Sequence, residues 1–104
     1  MVREYTAADR YRWHCDNAKR RNLVNELSLE DYTAFRNQEC YICYKPGECG
    51  VDREDNQLGY IKSNCKPCCG RCNKMKGEMS LKEFVNAICE MWNGIQYGER
   101  RYWP

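Results

Sequence analysis

The sequence predicts a small α+β domain in which a helical leader and a closing helix flank a compact hairpin-and-helix core. Three observations predict it. The chain has 104 residues, 31% of them charged, with a mean hydropathy of −0.92, so it forms one domain with too little apolar area to do without a cross-link. Hydrophobic spacing is helical near both ends and gives way to short strand-like runs in the middle. Nine cysteines are present, and four of them form two Cys-x2-Cys pairs, Cys40/Cys43 and Cys69/Cys72, with 25 residues between the pairs.

Each element carries its own signal. Residues 5–22 read as a helix: Tyr11, Cys15 and Ala18 or Lys19 share a face, and Thr6 suits the N-cap with Asp9 at the capping-box position. Ser28, followed three residues later by Asp31, predicts a short helix over 29–37 with Tyr32 and Phe35 on one side. "CYICYKPGECG" reads as a tight knuckle closed by a Pro46-Gly47 turn. "GVDREDNQLGYIKSN" predicts two short strands, near 50–53 and 59–62, joined by a polar loop in which Asp55 and Asn56 suit the turn. A further helix begins near Cys72. Ser80 then caps a last helix through "LKEFVNAICEMW", where Leu81, Phe84, Val85, Ile88 and Met91 or Trp92 make an apolar stripe. Cys15 and Cys89 fall on apolar helical faces and read as small buried hydrophobes. The single domain over 1–104 thus divides into a leader (1–38), a core (39–79), and a C-terminal helix with an aromatic, basic tail (80–104).

No apolar run of signal-peptide length opens the chain, and no stretch approaches the roughly 18 apolar residues of a membrane span. The expectation is an intracellular protein, in cytoplasm or nucleus, with reduced thiols. The odd cysteine count also argues against a complete set of disulfides. Metal ligation is the remaining reading. Cys40, Cys43, Cys69 and Cys72 can give a tetrahedral Zn²⁺ four thiolates from two tight turns. A knuckle, a hairpin and a helix bearing the second pair make a treble-clef (ββα-metal) core. Cys65/Cys68 overlaps the later pair, but the polar helix start "NKMKG" directly after Cys72 favours Cys69/Cys72. A second site from Cys49, Cys65 and Cys68 with His14 or Cys15 stays open.

Charge is unevenly spread. Residues 62–76 hold five bases, Lys62, Lys66, Arg71, Lys74 and Lys76, and no acid. Residues 1–21 hold six bases (Arg3, Arg10, Arg12, Lys19, Arg20, Arg21) against three acids, whereas 39–55 hold five acids against two bases. Basic flanks around an acidic centre suit a polyanion gripped beside a cation, with an ordinary charged surface as the alternative. Lys62, Lys66, Arg71, Lys74 and Lys76 are the candidate nucleic-acid contacts. Trp13, Trp92 and Trp103 show no spacing of a base-stacking platform and read as packing residues.

The order Cys40-x2-Cys43, "GVDREDNQLGYIKSN", "CCGRCNKMKG" resembles the HNH (His-Me finger) endonucleases. It is similar in particular to the group in phages and large DNA viruses that reads D-R-x-D-N…G-Y…N…P-C-C-x-x-C-N-x-M-K. "AKRRNLVNELSLEDYTAFRNQECYIC" and "SLKEFV" resemble that group's flanks, so the likeness spans most of residues 11–90. The resemblance implies a metal-dependent DNA endonuclease in which Asp52 on a strand and Asn73 on a helix hold one Mg²⁺ or Mn²⁺, and Asn64 braces the loop between them. Hard oxygens suit such an ion, which would sit on the scissile phosphate. The chain departs from the family at the general base, where Arg53 stands in place of a histidine. An arginine side chain stays protonated and cannot accept the water's proton, although it can clamp a phosphate. His14 is the only histidine and lies far from this motif in sequence.

Three functions follow as expectations: a small HNH-type nuclease; a zinc-stabilised nucleic-acid binder that has lost cleavage; and a protein-interaction module. In the third, a second copy is a candidate partner through the "AICEMW" face or the aromatic tail.

Overall fold

The computed structural model describes residues 4–103; Arg3, counted above among the basic residues of the leader, lies outside them. The helices are α1 (Ala7–Arg20), α2 (Leu29–Arg36), α3 (Gly70–Lys76) and α4 (Leu81–Tyr97), and the strands are β1 (Cys49–Arg53) and β2 (Cys65–Cys69). Thr6 and Asp9 close a capping box on α1, Ser28 and Asp31 close one on α2, and the Ser80 hydroxyl caps α4. In each case a short side-chain oxygen meets an N–H that the first helical turn leaves unpaired.

β1 and β2 pair antiparallel, with Cys49 opposite Cys69, Asp52 opposite Lys66 and Arg53 opposite Cys65. The second strand expected at 59–62 does not form. Tyr60 instead makes a lone parallel bridge to Asn25, a 3₁₀ turn covers Lys62–Asn64, and the strand begins at Cys65. The reason is a set of bonds that hold 54–64 as a loop. Asn64 Nδ2 donates to the Asp55 and Gly59 carbonyls at 3.0 Å each, and its Oδ1 accepts from the Asp55 N–H at 2.9 Å. Gly59 lets this loop approach the leader closely: a Cβ there would stand 2.5 Å from the Val24 carbonyl oxygen.

Two small cores result. Ala18, Leu27, Tyr60 and Cys65 pack with Leu23, Phe35 and Val51 between leader and sheet, and Cys40, Cys49, Cys68 and Cys72 pack at the knuckle. Leader and cysteine-knuckle elements therefore share the sheet as a common wall. α4 runs five residues past the predicted end at Trp92, and only Phe84 among its residues is buried. Cys89 is exposed rather than buried, as are Val85, Ile88 and Trp92 around it on α4.

Candidate metal centre and nucleic-acid cleft

The knuckle after α2 and the junction of β2 with α3 bring four thiols together. The sulfurs of Cys40, Cys43, Cys69 and Cys72 all lie within 4.8 Å of one another, with Cys43 and Cys69 at 3.9 Å. Zinc–sulfur bonds of about 2.3 Å would set neighbouring sulfurs of a regular tetrahedron about 3.8 Å apart, so the cluster has the dimensions of a single-ion site. Cys69 is also the N-cap of α3, its sulfur accepting from the Cys72 N–H at 3.4 Å.

The thiols divide by environment. For Cys40, burial opposes ionisation but is outweighed by the backbone N–H groups of Cys43, Cys69 and Ile42, which draw it down to about 6. The Cys72 N–H draws Cys69 down as well. Burial, reinforced by the three neighbouring thiols, pushes Cys72 up to about 12, since four thiolates cannot share so small a space without a cation. Cys65 is pushed up to about 11, and Cys49 and Cys68 upward too, in each case chiefly by burial. These three pack as apolar residues. Among the described residues no second group of ligands assembles: Cys65 lies in the leader core, while His14 and Cys15 both bond to Asn25.

Asn73, which directly follows Cys72 in the chain, joins Asp52, Arg53, Asn56 and Glu78 in lining a polar cavity of about 460 Å³. Asp52 and Asn73 thus meet on one cavity, as the motif implies. Their neighbours were not legible in the sequence. Lys76 has no exposed surface, and its ammonium stands 3.2 Å from Asp52 Oδ2 and 3.4 Å from Oδ1, while donating to the Arg53 carbonyl at 3.2 Å. The Tyr41 hydroxyl donates to Asp52 Oδ2 at 2.6 Å. Burial, and then the Asp52 charge, raise the Tyr41 phenol far above its ordinary range. The expected nucleic-acid contact by Lys76 is therefore corrected: the residue is an internal counter-ion. Arg53 is buried as well. Its Nη1 donates to the Asn56 and Leu58 carbonyls at 2.8 and 2.9 Å and its guanidinium lies over the Tyr60 ring, so it braces the loop instead of reaching outward.

Of the other expected contacts, Lys62 pairs with Asp31 at 3.1 Å and Lys66 with Glu54 at 4.0 Å, while Arg71 and Lys74 are exposed on α3. His14 lies at the mouth of a second, adjoining cleft. Its Nε2 faces Asn25 Oδ1 at 3.1 Å and its ring packs on Tyr60 and Tyr32.

No protein-family model matches the chain. An uncharacterized protein of Acanthamoeba polyphaga mimivirus is 33% identical over 79 residues, which make up 72% of this chain and 15% of that protein, so the chain spans a small part of that relative's length. Among solved structures, the rare-cutting HNH restriction endonuclease PacI, described for an unusual mechanism of DNA perturbation, matches with a TM-score of 0.67 over 91% of this chain and 84% of its own, at 20% identity. The protein is a small α+β domain with a two-stranded sheet and the fold of an HNH nuclease, and it carries four cysteines placed to hold a metal ion.

Proposed function

We propose that the protein is a DNA-binding domain on an HNH endonuclease scaffold, ordered by one structural Zn²⁺ held treble-clef fashion by Cys40, Cys43, Cys69 and Cys72. The observation that carries this reading is the four-thiol cluster, whose Cys72 directly precedes the Asn73 that shares a cavity with Asp52, in a fold shared with a restriction endonuclease that perturbs DNA. The motif order supports the D-R variant of the family as the group the chain resembles.

Binding without cleavage is the reading that the cavity favours. Arg53 cannot accept a proton, and Asp52 is already paired with the ammonium of Lys76, which has no exposed surface. A Mg²⁺ or Mn²⁺ finds suitable oxygens on Asp52 and Asn73 but would share the carboxylate with an ammonium, so the donor set fits in kind and not in charge. Hydrolysis is the second reading, and the meeting of Asp52 and Asn73 on one cavity, with Asn64 bracing the adjacent loop, supports it. We also infer that a second copy of the chain covers the exposed seam of α4, where Val85, Ile88, Trp92 and Ile95 repeat at coiled-coil spacing with no charge among them.

The test is to incubate the zinc-loaded protein with supercoiled plasmid and Mg²⁺ or Mn²⁺, and to run gel shifts in parallel. Retarded DNA without nicking supports the first reading. Nicking that Asp52→Ala abolishes establishes the second. Absence of both at low salt would leave only a protein-interaction role.

A further inference from the structure

The DNA-binding reading leaves open where the strand lies, and the distribution of unpaired charge answers it. The five bases of residues 62–76 suggest a path over α3, yet Lys76 is internal and paired with Asp52, and Lys62 and Lys66 face Asp31 and Glu54 in solvent-screened pairs, which leaves Arg71 and Lys74 as the bases there that face no acid among the described residues. The guanidiniums of the leader are grouped instead. Arg10, Arg20, Arg21 and Arg36 line a cleft of about 870 Å³ between α1, α2 and the sheet, and Asp16 is the only acid in its lining. Arg20 is oriented by a neutral partner, Asn17 Oδ1 at 2.7 Å, and keeps its full charge. Arg36 meets Glu48 at 3.3 Å, but that carboxylate is 74% exposed and its pull is screened by solvent. Arg10 and Arg21 pair with no acid among the described residues.

The cleft is continuous with the inner cavity. Arg21, Val51, Tyr60 and Asn73 line both. We infer that the DNA backbone seats in this arginine-lined cleft along α1, and that Arg21 hands it on to the cavity of Asp52 and Asn73. The planar forks of arginine match phosphate oxygens in pairs, and three of them at α1 and its C-cap facing a fourth on α2 offer bidentate contacts from both sides of the cleft. α1 is thereby a working part of the site rather than a scaffold element. The inference rests on the DNA-binding reading, and its test keeps the two apart.

Fluorescence anisotropy with a labelled 20-base-pair duplex, repeated across salt concentrations, reads both. The cleft variant carries Arg10→Gln, Arg20→Gln, Arg21→Gln and Arg36→Gln; the comparison variant carries Arg71→Gln and Lys74→Gln on α3. The cleft variant is expected to bind at least about 100-fold more weakly at low salt, with the slope of log K against log salt reduced by about 3.6, at about 0.9 for each of four lost phosphate contacts. The α3 variant is expected to lose about threefold. Arg20→Gln/Arg21→Gln alters only exposed positions at the end of α1 and, should the fourfold change unsettle the fold, is expected to lose about tenfold by itself. A cleft variant that holds its zinc and binds as tightly as the parent, while the α3 variant fails, overturns the path and leaves DNA binding standing. A parent protein that binds no duplex at low salt overturns both.

Discussion

Lys76 carries a full charge into a place without solvent, and only Asp52 and one carbonyl receive it. A buried ion pair adds little over a well-packed apolar pair, but breaking one from a single side is costly because the other charge stays behind. Lys76→Met is expected to cost about 3–5 kcal/mol in urea unfolding, and Asp52→Asn/Lys76→Met to recover more than half of that. Equal losses in the single and double variants would show that the two residues are not coupled. The same pair bears on catalysis, since any ion admitted at Asp52 must first contend with the ammonium. His14 offers a second measurement at this scale. Burial lowers its pKa below the ordinary 6.5, outweighing the bond to Asn25, which raises it. The unfolded chain therefore takes up the proton more readily than the fold does. The stability that neutral His14 supports is present above about pH 6.5 and is lost as pH falls through the lowered folded value. His14→Gln should flatten the decline in melting temperature between pH 7 and 5, and an unchanged slope would refute the assignment.

On the proposed zinc reading the knuckle and the β2–α3 junction stand or fall together, because each supplies only two of the four thiols of the cluster. Cys43→Ser or Cys69→Ser is expected to abolish stoichiometric zinc and to loosen the hairpin, whereas Cys65→Ser should keep one zinc per chain although Cys65 is the more deeply buried residue. Elemental analysis with thiol counting decides it; loss of zinc in Cys65→Ser would reassign the ligands. Metal spacing and helix caps were legible in the sequence because both are local. Thr6 with Asp9, Ser28 with Asp31 and each Cys-x2-Cys pair act across three residues. The second strand was misplaced because "GYI" has strand composition, while the bonds that hold it as a loop come from Asn64 and Arg53 and join residues up to nine apart. Lys76 was read among its basic neighbours because sequence gives no sign that its position at the end of α3 lies over Asp52. The arginine cleft was equally hidden, for it exists only once α1 has been laid against the sheet by Tyr60 and Leu27.

The molecule is extended for its size. Its radius of gyration is 16.5 Å and its extents are 50 × 38 × 23 Å, against about 13 Å expected for a globule of 100 residues. α4 accounts for the excess, since it leaves the body after Phe84 and shows solvent an apolar seam. Val85, Ile88, Trp92 and Ile95 are 37–56% exposed, and the helix's charges, Lys82, Glu83 and Glu90, fall off that line. Apolar rows of this kind are seldom left open on a soluble monomer. A 3-4-3 repeat without charge is complementary to itself, because each large side chain of one helix finds the hole between those of another. No residue of the seam lines the arginine cleft, so pairing through α4 uses none of the groups proposed to meet DNA. Ile88→Glu/Trp92→Glu is therefore expected to halve the mass seen by light scattering at micromolar concentration, from two chains to one. Zinc content and duplex affinity per chain should stay within about twofold of the parent's, as neither change touches the cluster or the cleft. A parent protein that runs as one chain at that concentration would refute pairing through α4 and leave its apolar row to a different partner.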